Sequence, residues 1–150
     1  MKKLLLAVVL IMCFSLNAQI MKRSEERKPD EVISVNMGTT KMNRFGEIYV
    51  LNMPDGTSKS DVRWYFMFKK EEITEIYNEV SRAMNSDEYK KGESFDYKNW
   101  EGAMVTILYD KTMGVKSIQF VKREKEFVEH IGGPLTLKNL QKLFGIDAKK

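Results

Sequence analysis

His130 is the only histidine in the chain. A lone imidazole is the first place to look for proton transfer or metal binding. It stands on an expected strand beside Glu129, just ahead of the pair Gly132-Gly133. A metal centre draws on several ligands, and the chain offers no second histidine and no cysteine beyond Cys13. His130 therefore reads as a partly exposed strand residue. Two carboxylate groups could run acid–base chemistry such as glycoside hydrolysis. One is Asp55 with Asp61; the other is Asp87-Glu88 with Glu93 and Asp96. Both are interleaved with lysines on expected loops, which fits solvated surface better, and neither has the order of acids and glycine of a calcium loop. There is no Gly-x-Ser-x-Gly elbow and no glycine-rich phosphate cradle. Ten methionines are present. Thioethers hold copper when grouped, but these are scattered and read as adaptable packing. No catalytic residue, metal site or cofactor is assigned.

The segment that does suggest recognition is residues 86–102. It carries Tyr89, Phe95, Tyr97 and Trp100 among charged residues. Long connections in compact domains tend to be functional, and flat rings give contact area at low entropic cost. These four residues form the candidate binding set for a sugar or a peptide. The competing reading is a loop folded back to cap one end of the core. The exposure of Trp100 separates the two.

The start of the chain fixes the expected compartment. Lys2-Lys3 precede an apolar run over residues 4–16, followed by Asn17-Ala18-Gln19. A charged start, an apolar middle and a small residue before the cut make a secretory signal peptide. The run is too short to span a bilayer comfortably, so no transmembrane span is expected after cleavage. Cys13 is preceded by Met12, where lipid attachment wants a small residue, so a lipoprotein is disfavoured. With the leader gone the chain has no thiol, which suits an oxidising space. Removal of Lys2 and Lys3 leaves 23 basic against 21 acidic side chains. Mixed runs such as Lys122-Arg123-Glu124-Lys125-Glu126 do not cluster one sign, so nucleic acid is disfavoured as a partner.

The expected organisation is a signal peptide over 1–18, a disordered tether over 19–30, one domain over 31–146 and a tail over 147–150. Residues 31–37 alternate through Ile33, Val35 and Met37, as a half-buried strand does. Residues 38–46 read as a loop and 47–52 as a strand. Met53-Pro54-Asp55-Gly56 reads as a turn. Residues 61–69 alternate most strongly, with Val62, Trp64, Phe66 and Phe68 on one face. The period then changes. Ile73, Ile76, Tyr77, Val80, Ala83 and Met84 make a helical stripe over 70–84, with Glu71 and Glu72 at its positive end and Asn85 as its stop. Strands follow at 103–110, 115–123 and 127–131, the first two joined by a hairpin at Lys111-Thr112-Met113-Gly114. Gly132-Gly133-Pro134 breaks the sheet. Thr136 caps a short helix through Leu137, Leu140, Leu143 and Phe144, and Gly145 ends it.

Residues 103–143 resemble the last part of a family of small exported bacterial proteins of unknown function, common in Bacteroidetes. The pieces that carry the resemblance are Val105-Thr106-Ile107, Gly114-Val115-Lys116-Ser117-Ile118, Glu126-Phe127-Val128, and Gly133-Pro134-Leu135-Thr136-Leu137 with Leu140. The resemblance implies an exported compartment and three strands leading into a leucine-rich helix. It implies no activity.

The expected fold is α+β, two-layer: an antiparallel sheet of five or six strands with two helices packed on one face. The expected function is a non-enzymatic envelope module, periplasmic or secreted, binding a protein or glycan partner. The alternatives are a small exported hydrolase using carboxylates near 87–101, and an accessory subunit that pairs through a sheet edge at 31–37.

Overall fold

The structure, a computed structural model, describes residues 28–56, 62–87, 89–124 and 128–146. The leader with Cys13, the tether up to residue 27, Asp61, Glu88 and the tail at 147–150 lie outside the described residues. The chain is α+β, with eight strands and two α-helices among the described residues. The strands are β1 Glu31–Val35, β2 Thr40–Phe45, β3 Ile48–Pro54, β4 Arg63–Lys69, β5 Ser94–Lys98, β6 Met104–Thr112, β7 Val115–Glu124 and β8 Val128–Ile131. Helix α1 is Lys70–Met84 and helix α2 is Leu137–Phe144. Strands pair with their chain neighbours, all antiparallel, in two four-stranded sheets: β1-β2-β3-β4 and β5-β6-β7-β8. Each sheet is a meander followed by one helix.

This corrects the expected single sheet of five or six strands. Residues 38–46 supply β2, whose alternation is faint because Thr40, Met42 and Arg44 share one face and only Met42 is apolar. Residues 94–98 supply β5 inside the expected loop. Helix α1 begins directly after β4 and carries the chain away, so β5 starts a second sheet rather than joining the first. Two smaller expectations also change. Met37 lies beyond β1 in a 3-10 turn at Asn36–Gly38, with φ 55° and full exposure. Val62 precedes β4 and is exposed, while its carbonyl accepts the Asp55 N–H at 3.0 Å.

The strong periodicities hold. On β4, Trp64, Phe66 and Phe68 are buried and Arg63, Tyr65 and Lys69 are exposed. On α1, Ile73, Ile76, Val80, Ala83 and Met84 are buried at helical spacing. Val105, Ile107, Ile118 and Phe120 of the second sheet are fully buried in the same core. Burying a side chain of this size contributes about 1.5–3 kcal/mol. Helix α2 is capped as its sequence says: the Thr136 hydroxyl accepts from Asn139 N at 3.3 Å, and Gly145 takes the left-handed φ of 60° that ends the helix. Its Leu140, Leu143 and Phe144 are buried, and it touches β1, β2, β7 and α1.

Strand β4 crosses the end of the second sheet. A Cβ on Gly132, just after β8, would come within 3.2 Å of the Trp64 ring and 2.6 Å of the Met53 methyl. Lys122 of β7 sets its ammonium 5.5 Å from the Tyr65 ring centroid. Beyond β5, the Asn99 amide donates to Met67 O at 2.9 Å. Gly132 thus sits where the two sheets meet closely: a side chain there would have to displace the Met53 methyl. Among the described residues no helix is long and apolar enough to cross a membrane. With a single cysteine in the chain there is no intrachain disulfide.

Candidate functional site

The turn at residues 99–103, between β5 and β6, is tied by several hydrogen bonds beside an exposed aromatic. Asn99 is buried and makes four hydrogen bonds. Its N–H donates to Ala103 O at 3.0 Å, its side-chain oxygen accepts from Ala103 N at 2.8 Å, and its carbonyl accepts from Gly102 N at 2.8 Å. With the bond to Met67 O, the Asn99 side chain joins the turn to the edge of β4. Gly102 has φ 82°, a left-handed value that glycine adopts without strain. Next to Asn99, the Trp100 N–H donates to Glu72 Oε1 at 2.7 Å, while the other oxygen of Glu72 accepts from Lys69 N at 2.7 Å. One nearly buried carboxylate therefore caps α1 and anchors the turn. Trp100 itself is 47% exposed. Lys69 Nζ lies 5.3 Å from its centroid, a cation–π contact. Met104, at the start of β6, is also exposed beside this turn.

The other three aromatic candidates fall into different surroundings. Tyr97 is half-buried, and its hydroxyl donates to Glu75 Oε2 at 2.8 Å, one turn of α1 from Glu72. Burial, helped by that hydrogen bond to a carboxylate, pushes the Tyr97 hydroxyl above the ordinary phenol range. Tyr89 is buried at the far end of α1. Its hydroxyl shares its one proton between the carbonyls of Asp110 and Ser117, and its ring packs at a tilt against Tyr109, centroids 5.1 Å apart. Burial raises its pKa as well. Lys116 lies over the Tyr89 ring and donates to Met84 O at 2.6 Å. Phe95 meets the same Tyr109 ring at 6.1 Å. The structure therefore brings Tyr97 and Trp100 to the N-terminal end of α1 and gathers Tyr89 and Phe95 around Tyr109. The distance between Glu75 and Met84 along the helix is roughly 14 Å.

His130 is placed where sequence spacing gives no hint. Its Nδ1 lies 2.9 Å from Asp55 Oδ2, across 75 residues of chain, and the carboxylate is nearly buried. The neighbouring Gly56 N–H donates to Ile131 O at 2.8 Å. Together these contacts clasp the β3–β4 corner onto β8. The described acids of the loop cluster do not converge. Asp87 is exposed, Glu93 pairs with Lys90 at 3.5 Å, and Asp96 accepts from the Thr106 hydroxyl at 2.6 Å. Among the described residues no group of three or more His, Cys, Asp or Glu could hold a metal. A cavity of about 350 Å³ opens beside the clasp, lined by Gly56, Gln119, Ile131, Gly132, Gly133 and Pro134.

Sequence reasoning singled out Trp100 by its type but missed Glu72 and Asn99, which fix it. Asn99 beside an exposed aromatic and before a glycine was the available signal, because Asn and Gly build tight turns. No family model, curated protein or solved structure matches this chain.

Proposed function

We propose that this chain is a non-enzymatic binding module of the cell envelope, periplasmic or secreted, that meets a protein or glycan partner through Trp100. The observation that carries this reading is a half-exposed indole on a turn with no slack. Asn99 is buried with its side chain bonded to both Ala103 and Met67, and Glu72 holds the Trp100 N–H. A ring held in place before binding loses little entropy when a partner covers it, and large aromatics of this kind are the residues that dominate interfaces. Tyr97 one turn away, Met104 and the Lys69 ammonium give the indole an amphipathic margin. The N-terminal pattern and the resemblance of residues 103–143 support export. The scattering of Asp87, Glu93 and Asp96 supports binding over hydrolysis.

The test is capture with the purified mature domain on a glycan array and from envelope extract, with Trp100→Ala in parallel. Truncating an anchor of this type costs about 2–4 kcal/mol of binding. A partner held by the wild type and lost by Trp100→Ala, with an unchanged melting temperature, supports the reading. Equal retention by both proteins contradicts it, and so does turnover of a model ester or glycoside by the wild type.

A further inference from the structure

We propose that the cavity beside the Asp55–His130 clasp is a subsite for one neutral sugar residue. This inference does not depend on Trp100, which sits near Lys69 at the other end of β4 from Trp64 and Gly132. The first argument is Gly133. Most glycines of the chain have a backbone or packing reason: Gly38, Gly92, Gly102, Gly114 and Gly145 have left-handed φ, and a Cβ on Gly56 or Gly132 would have to displace a neighbour closer than 3.0 Å. Gly133 has neither. Its φ lies outside the left-handed region, and a Cβ there would meet nothing within 4 Å. What the missing side chain leaves is open space in the wall of the cavity, where a ligand can come close to the backbone.

The second argument is the chemistry of the lining. Among the described residues no charged side chain lines the cavity. The Gln119 amide, in the cavity lining, gives one N–H to Gly132 O at 3.3 Å, and an amide carries a second N–H and an acceptor oxygen besides. The Gly133 N–H makes no hydrogen bond among the described residues. Ile131 and Pro134 add aliphatic surface. Neutral donors and acceptors beside aliphatic walls match the hydroxyls and C–H faces of a sugar ring. The volume of about 350 Å³ is at the small end of ligand sites, so one ring fits the scale and an extended oligomer does not. An added peptide strand is disfavoured, because Ile131 O already accepts from Gly56 N–H and the sheet edge is closed at that point.

The experiment is a nitrogen-15 NMR titration of the mature domain with D-glucose, D-galactose and N-acetyl-D-glucosamine. The expected result is a saturable shift of the Gly133 backbone amide and the Gln119 side-chain amide with at least one of them. Gly133→Val, which fills the space at a permissive position, is expected to weaken that binding by more than about tenfold with the rest of the spectrum unchanged. Gln119→Ala, which leaves the backbone untouched, is expected to weaken it as well. The proposal is overturned if none of the three sugars moves these signals, or if both variants bind as the wild type does. Shifts confined to the Trp100 indole would also overturn it while leaving the Trp100 reading intact.

Discussion

Glu72 shows how one side chain can serve stability and presentation together. At the third position of α1 its carboxylate satisfies a helix N-terminal donor and also holds the Trp100 N–H. Both bonds are charge-assisted, which makes them stronger than neutral ones. Tyr97 is the neighbouring case, and its titration is readable. Its folded-state pKa is raised, first by burial and then by the hydrogen bond to Glu75. A raised pKa means that the stabilisation is fully present below the ordinary phenol value near 10 and is lost as the pH climbs above it. The domain should therefore weaken at alkaline pH, and Tyr97→Phe should lack that share of the loss. The variant should also remove one late-titrating tyrosinate from an ultraviolet absorbance titration. At neutral pH it should cost about 0.5–1.5 kcal/mol, the worth of one hydrogen bond. A Tyr97 that ionises at the ordinary phenol value would contradict this account.

At the scale of elements, the clasp between the β3–β4 corner and β8 is the junction most open to test. Removing the imidazole leaves the nearly buried Asp55 carboxylate without its 2.9 Å partner. His130→Ala should destabilise the domain by about 1–3 kcal/mol in urea unfolding. A change within about 0.5 kcal/mol would place His130 among ordinary surface residues. Nothing in a single sequence joins two residues 75 positions apart, so the pair was illegible even though each member stood out. Helix α1 was legible to the residue because its apolar period, acidic start and Asn85 stop all agree. β4 was legible because three aromatics alternate on it. β2 was not, since its inward positions include Thr40 and Arg44. In β5 the alternation of Phe95 and Tyr97 was present, but flanking charge and glycines made it look like loop. The sheet count failed for the same reason: missing two weak strands hides the point at which one meander ends and the next begins. Of the candidate site, the exposed aromatic was visible, while the buried Asn99 and Glu72 that position it depend on contacts 28 and 32 residues away.

For the whole molecule, the two meanders share one hydrophobic core rather than carrying one each. Helix α2 touches both sheets, through β1 and β2 on one side and β7 on the other. Leu140 at its centre is fully buried. Leu140→Ala should cost about 2–5 kcal/mol. Both sheets should still unfold together, with Trp64 emission in a Trp100→Phe background and near-ultraviolet dichroism of the tyrosines giving the same midpoint. Separate midpoints would mean that the sheets are independent units. A rigid shared core of this kind is what allows the turn at residues 99–103 to hold an indole in water without collapsing onto it. The chain has two tryptophans, Trp64 at 4% exposure and Trp100 at 47%. The measurement that tests the account most directly is therefore acrylamide quenching of tryptophan emission, with and without the partner recovered by capture. The account predicts one accessible and one protected tryptophan in the free domain, and loss of the accessible component when the partner saturates. Quenching of Trp100 that stays the same at saturation would contradict it.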